Sequence, residues 1–198
     1  MATGFVIAEY KSIKKDFPEF KFAEESLYNR LIAKANADWA PETFGNMTPE
    51  SGQYSMTTIL PPLMAGVLGT PLVTWNQVFT STGDTIILTG SHAGGIIPED
   101  FKIGWTGLLF ADKSIRVSEL KWQIGQSKYG RVNIEEIQCY EKPALIFEGE
   151  GYILDEKQGF DLHAYVTCRG QQRIVPLGFQ LNKIPNRTQI TACGAVLE

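Results

Sequence analysis

Side-chain chemistry needs titratable groups brought together with tuned surroundings, and this chain offers few. It has two histidines, His92 and His163. His92 lies in Ser91-His92-Ala93-Gly94-Gly95, a glycine-rich loop that could present an imidazole to loop carboxylates; the simpler reading is a solvated loop histidine. His163 falls on the outward parity of an alternating run, as a surface or interface residue would. Zinc takes three or four nitrogen, sulfur or carboxylate ligands, and the spacings H-x-H, H-E-x-x-H and C-x-x-C do not occur. A cupin-type metal site would need a second histidine near the first, which the sequence lacks.

Glu148, Glu150, Asp155 and Glu156 gather around one hairpin. Facing carboxylates can hydrolyse glycosides or hold a divalent cation, but carboxylates clustered at a hairpin are ordinarily solvated. There is no G-x-S-x-G, and the glycine pairs Gly66/Gly69 and Gly94/Gly95 are not followed by G-K-[ST]. Cys139, Cys168 and Cys193 are odd in number and widely spaced, with two on inward strand parity; they are expected as buried, reduced thiols. Trp75, Trp105 and Trp122 have apolar neighbours of the same parity and read as core, whereas Trp39 and Tyr129 fall at a helix end and in a loop. No catalytic residue, metal site or cofactor is expected.

The elements that would position a site are mostly strands. From Pro71 to Val196, short β-type runs alternate with turn residues every eight to twelve positions. Phe160, Leu162, Ala164, Val166 and Cys168 share one parity; after a polar turn Val175, Leu177, Phe179 and Leu181 repeat it. Val73, Trp75 and Phe79 alternate in the same way. Period-two alternation puts one face in a core and one outside, the mark of antiparallel sheets. The inward parity changes near Glu119, which implies a bulge. It changes again at Glu135-Glu136, where a bulged strand or a single helical turn is expected, and Ile190, Ala192 and Val196 suggest a last strand. The fold class is all-β: an antiparallel two-sheet sandwich of jelly-roll type, with an N-terminal arm and one short α-helix; a closed barrel is the alternative.

Three stretches follow within one domain. Residues 1–40 form an arm and an amphipathic helix: Phe5, Val6, Ile7 and Tyr10 read as an edge strand, Lys11, Lys14 and Lys15 follow, and Asp16, Pro18 and Glu19 mark a helix start. Leu27, Leu31 and Ala35 share its apolar face, and Pro41 ends it near Trp39. Residues 41–72 are a polar loop and then an apolar connector, Ile59 to Gly69, too short and proline-rich to span a bilayer. Residues 73–198 are the sandwich body.

At 198 residues the chain can bury a core without disulfides or metals, and 43% hydrophobic with 20% charged residues is an ordinary globular composition. A net charge of -4 gives no overall attraction to nucleic acid. The opening residues carry no signal-peptide pattern, so synthesis and assembly in a cytoplasm are expected. The expectation is a non-enzymatic structural subunit of a symmetric particle, of the capsid or virion class, whose partners are copies of itself and other virion proteins. Candidate interface residues are Phe5, Ile7, Tyr10, Leu27, Leu31, Leu60, Leu63, Met64, Val67 and Leu68. The alternatives are a monomeric carbohydrate- or ligand-binding sandwich, marked by a row of exposed aromatic rings, and a small enzyme built around His92.

Overall fold

Turn residues divide the chain into short strands, and each strand finds its partner far away in sequence. The computed structural model describes residues 5–16, 18–39, 54–129, 131–147 and 149–183. In chain order these hold β1 (Phe5–Glu9), α1 (Tyr10–Asp16), α2 (Pro18–Trp39), β2 (Tyr54–Thr58), β3 (Met64–Ala65), β4 (Asn76–Phe79), β5 (Gly83–Gly90) and β6 (Phe101–Phe110). Then come β7 (Val117–Ile124), β8 (Ser127–Lys128), β9 (Val132–Asn133), β10 (Pro143–Phe147), β11 (Tyr152–Leu154), β12 (Phe160–Val166) and β13 (Gly170–Lys183).

The strands form two antiparallel sheets. The first runs β1-β10-β6-β13-β2, with β11 also on β6 and β4 also on β13; the second runs β3-β5-β12-β7-β8, with β9 also on β7. The pairings are nested. β4 pairs with β13, β5 with β12, β6 with β10 and β11, and β7 with β8 and β9, from the outermost pair to the innermost.

Between the sheets, Phe160, Leu162, Ala164 and Val166 of β12 all point inward, as their alternation requires. Rings fill the middle. Trp105 lies edge-on to Phe147 (4.7 Å between centroids), Phe160 (5.2 Å) and Trp122 (6.0 Å), while Trp122 stacks on Tyr129 at 5.7 Å. Such pairs add about 0.5–1.5 kcal/mol each beyond the area they bury. The expected bulge occurs where Val166 skips to Val117, leaving Ser118 without a partner in β12, and the second parity change is a 3-10 turn over Glu135–Cys139.

The outer face of the first sheet is covered by the N-terminal elements. Leu31, Ala35 and Trp39 of α2 pack on Tyr54 and Leu181; Ile13 and Phe20 pack with Ala8 on Ala144 and Ile146. Gly104 of β6 makes this close contact possible, since a Cβ there would lie 3.2 Å from Leu27. Pro18 stands at the first helical position of α2, which runs to Trp39; at 22 residues it is a long helix, not a short one. α1, over the lysine-rich run, was not expected.

Several expectations change. The N-terminal stretch is not an arm reaching over a neighbour: β1 pairs with β10, and α2 buries its apolar face in its own chain. The polar-loop and connector stretch supplies β2 and β3 to the two sheets. Leu177, Phe179 and Leu181 face the helices, not the sandwich interior, while Ile174 faces inward. β13 is apolar on both faces because both are covered, so parity alone could not orient it. Val73 precedes β4 and is exposed, and Cys168 lies beyond the end of β12 and is exposed, as is Cys139. Cys193 and the expected strand at Ile190–Val196 lie outside the described residues.

Leu31→Ala is expected to destabilise the isolated chain by about 2–5 kcal/mol in urea unfolding, the range for truncating a buried leucine. A loss below about 1 kcal/mol would mean that α2 does not dock on its own sheet in solution.

Candidate functional site

The densest group of ionisable side chains sits where the end of α2 crosses the ends of β6 and β11. β6 supplies Lys102, whose side chain is 1% exposed. It points to the helix-covered face of the sheet, between Phe101 and Ile103, and is the one charge in an otherwise uncharged ten-residue strand. α2 supplies Lys34, Asp38 and Trp39, one helical turn apart. The turn after β11 supplies Asp155 and Glu156.

Lys102 Nζ donates to Asp38 Oδ2 at 2.7 Å and to Asp155 Oδ1 at 2.5 Å, with Glu156 Oε1 at 4.0 Å. Lys34 Nζ bridges the same two aspartates, 2.8 Å from Asp155 and 3.3 Å from Asp38. Trp39 Nε1–H donates to Glu156 Oε1 at 2.8 Å, and the Asp100 amide donates to Glu156 Oε2 at 3.0 Å. The Trp39 ring lies 5.0 Å from the Lys102 ammonium, within cation–π range. The hydrogen bond from Lys102, with the charges of Lys102 and Lys34, holds the Asp38 carboxyl below its usual range; hydrogen bonding to Asp155 raises the Lys34 pKa.

This arrangement is an anchor. Both oxygens of Asp155 and of Glu156 face a cation or an N–H, so these two carboxylates of the acidic hairpin are neutralised from within. Glu150 is likewise held by Arg30 (2.8 Å) and by Ser26 Oγ (3.1 Å). Among the described residues, no group of three or more His, Cys, Asp or Glu side chains is placed to hold a metal. One pointer to this anchor lies in the sequence, a lone lysine inside an apolar strand, and its partner Asp38 was beyond reach without the fold.

A second charged group lies on the open face of the second sheet. Asp84 meets Lys121, Arg131 and His163, and Arg131 also binds Glu119 at 2.8 Å. The hydrogen bond from Lys121 holds Asp84 below its usual range, helped by the charges of Lys121, His163 and Arg131. His163 is therefore on the surface, as its parity implied. His92 is exposed on its turn; nearby Glu99 pairs with Lys157 at 2.8 Å.

The candidate interface residues separate into groups. Leu27, Leu31, Leu63 and Met64 are buried inside the chain and are not on its surface. Phe5, Ile7 and Val67 are half-buried against the sandwich core, and Tyr10 against the α1 layer. Leu60 and Leu68 are exposed, Leu68 by 75%. Further exposed apolar side chains were not anticipated, among them Phe22 on α2, Val73 at 89% exposure, and Val78 on β4. Leu68 and Val73 sit on the connection from β3 to β4, which Gln77 of β4 clips by accepting the Val67 amide at 3.1 Å. Trp105 and Trp122 are core, Trp75 is half-buried, and Trp39, expected as an exception, is buried in the anchor.

Lys102→Met should destabilise the chain by about 2–3 kcal/mol, less than the ~3–5 of a fully buried pair because the carboxylates reach solvent. Asp38 binds its proton less tightly folded than unfolded, so its contribution is complete above about pH 4 and drains away as the pH falls further. Wild type should therefore lose stability below about pH 4 more steeply than Lys102→Met; parallel urea-stability profiles from pH 2 to 6 would contradict the anchor.

The chain matches no protein-family model, no curated protein and no solved structure.

Proposed function

We propose that the protein is a non-enzymatic structural subunit of a symmetric, self-assembling particle, of the capsid or virion class. The observation that carries this reading is the ring-filled interior. The volume between the sheets is occupied by Trp105, Trp122, Phe147, Tyr152 and Phe160, so among the described residues the space between the sheets is packed with rings. The nested pairing, with β4-β13-β6-β10 in one sheet and β5-β12-β7-β8 in the other, supports reading the sandwich as a jelly roll made from two Greek keys. That fold serves capsids, lectins and cupins alike, so it supports the reading without deciding it.

Two features favour assembly over the other users of the fold. The sandwich is stiffened from outside by α2 and its ionic anchor, which suits a block that must hold its shape. Leu60, Leu68, Val73 and Val78 are exposed apolar side chains on or beside the edge formed by β2, β4 and the β3–β4 connection, and subunit contacts bury such surface. The partners are further copies of the chain, with other virion proteins; the place of assembly is the host cytoplasm, and the product is the virion. Among the described residues no helix is long and apolar enough to cross a membrane.

Sedimentation velocity and negative-stain microscopy of the purified chain are expected to show closed or tubular particles. A species of single-chain mass at high concentration would overturn the proposal. Leu68→Asp combined with Val73→Asp should lower the assembled fraction while leaving unfolding stability within about 0.5 kcal/mol, because neither side chain adds to the core.

A further inference from the structure

The open face of the second sheet carries a hollow that its ion pairs do not fill. β8 pairs with β7 at Gln123 and Ile124, and β9 pairs with it at Glu119 and Leu120, so the outer partner of β7 is interrupted between those two places. Beside that interruption lies a hollow of about 260 Å³, lined by Lys121, Trp122, Gln123, Lys128, Tyr129 and His163. Two of these are lysines, one is a histidine and none is an acid, although the chain as a whole has a net charge of -4.

The basic side chains are held in place from one side. Asp84, which lies in the adjoining hollow, bonds Lys121 Nζ and stands 3.7 Å from His163 Nδ1, so a single carboxylate positions both. An ammonium has three N–H donors, so Lys121 keeps others for a ligand, and His163 keeps Nε2. Lys128, directly across from Gln123, is exposed and has no ion pair among the described residues. Gln123 Nε2 donates one hydrogen to the Gly125 carbonyl at 2.9 Å and retains the second. Polar groups from β12, β7 and β8 thus meet around a space that holds no negative charge.

We propose that this hollow binds a tetrahedral oxyanion, a phosphate or sulfate group. Separate point charges from three strands suit such a group, whereas a carboxylate is best matched by the planar fork of an arginine. Arg131, the arginine of the adjoining hollow, is taken up by Glu119 at 2.8 Å and by Asp84 at 3.5 Å. The volume falls below the usual range for a drug-sized ligand, so the group is a free anion or the end of a small ester. The site is independent of the assembly reading and survives its failure.

The test is calorimetric titration of the purified chain with inorganic phosphate at constant ionic strength. Binding should saturate near one equivalent per chain, and acetate should give no saturable heat. Lys128→Ala and His163→Gln should each raise the Kd for phosphate about tenfold, the effect of losing one charge-assisted hydrogen bond. Because Lys128 is exposed and unpaired, its variant should keep the wild-type melting temperature, so a loss of binding there is a loss of the site and not of the fold. Lys113→Ala, at an exposed lysine outside the hollow, should bind as wild type does. Ribose 5-phosphate separates the two sources: tighter binding than inorganic phosphate identifies an ester, and equal binding a free anion. The site is wrong if phosphate does not saturate, if acetate binds as well, or if Lys128→Ala matches the wild type.

Discussion

Everything outside the sandwich depends on how closely α2 can approach the first sheet. That distance is set at Gly104, where the absence of a side chain lets Leu27 and Leu31 settle against the backbone of β6. The approach covers a second face of β6 and β13, draws Lys102 under the helix, and brings Asp38 within reach of it. Hydrophobic contact fixes the separation, and the ion pairs then fix the position along the strand. A lysine at 1% exposure is tolerable only because two aspartates and an indole face complete its surroundings. Packing and electrostatics thus select one placement of the helix between them.

The legible parts of the sequence were those where one face of a strand meets water. β12 alternates cleanly because the outer face of the second sheet is bare, so Phe160 to Val166 could be oriented from their types alone. β13 resisted the same reading since helices cover its outer face, and apolar residues are then favourable on both parities. The start of α2 at Pro18 and its end near Trp39 were visible because prolines act locally. The anchor was not visible: Asp38 and Lys102 lie far apart in sequence, and their meeting is a product of the tertiary fold. The acidic hairpin was noticed for its composition, yet whether its carboxylates face water or lysines is decided by α2. Leu27 and Leu31 show the reverse error, for an apolar helix face looks the same whether it will bury in its own chain or in another.

Division of labour follows from this asymmetry. One sheet is covered by helices over much of its outer face and serves as the rigid body; the other keeps a polar face, with Lys121, Arg131 and His163 gathered around Asp84. Three buried glutamines join loops to the enclosed sheet. Gln77, Gln172 and Gln180 accept the amides of Val67, Arg116 and Leu60, so in each case a side chain of the sheet holds a connecting segment in place. A buried amide that satisfies a loop N–H removes the cost of leaving that donor unpaired. Stiffness is thereby carried into the corners where the exposed apolar residues sit.

The nested order of the strands has a consequence for how the molecule comes into being on the ribosome. β13 lies in the middle of its sheet, between β6 on one side and β2 and β4 on the other, although it is the last strand described. Its register with β4 joins Phe79 to Gly170, about 90 positions later, so that sheet cannot close until β13 has been made. Until then β2, β4 and β6 present open hydrogen-bonding edges and an uncovered apolar surface. Folding is accordingly slow and late, and the nascent chain passes through a period in which premature pairing between neighbouring copies competes with its own completion.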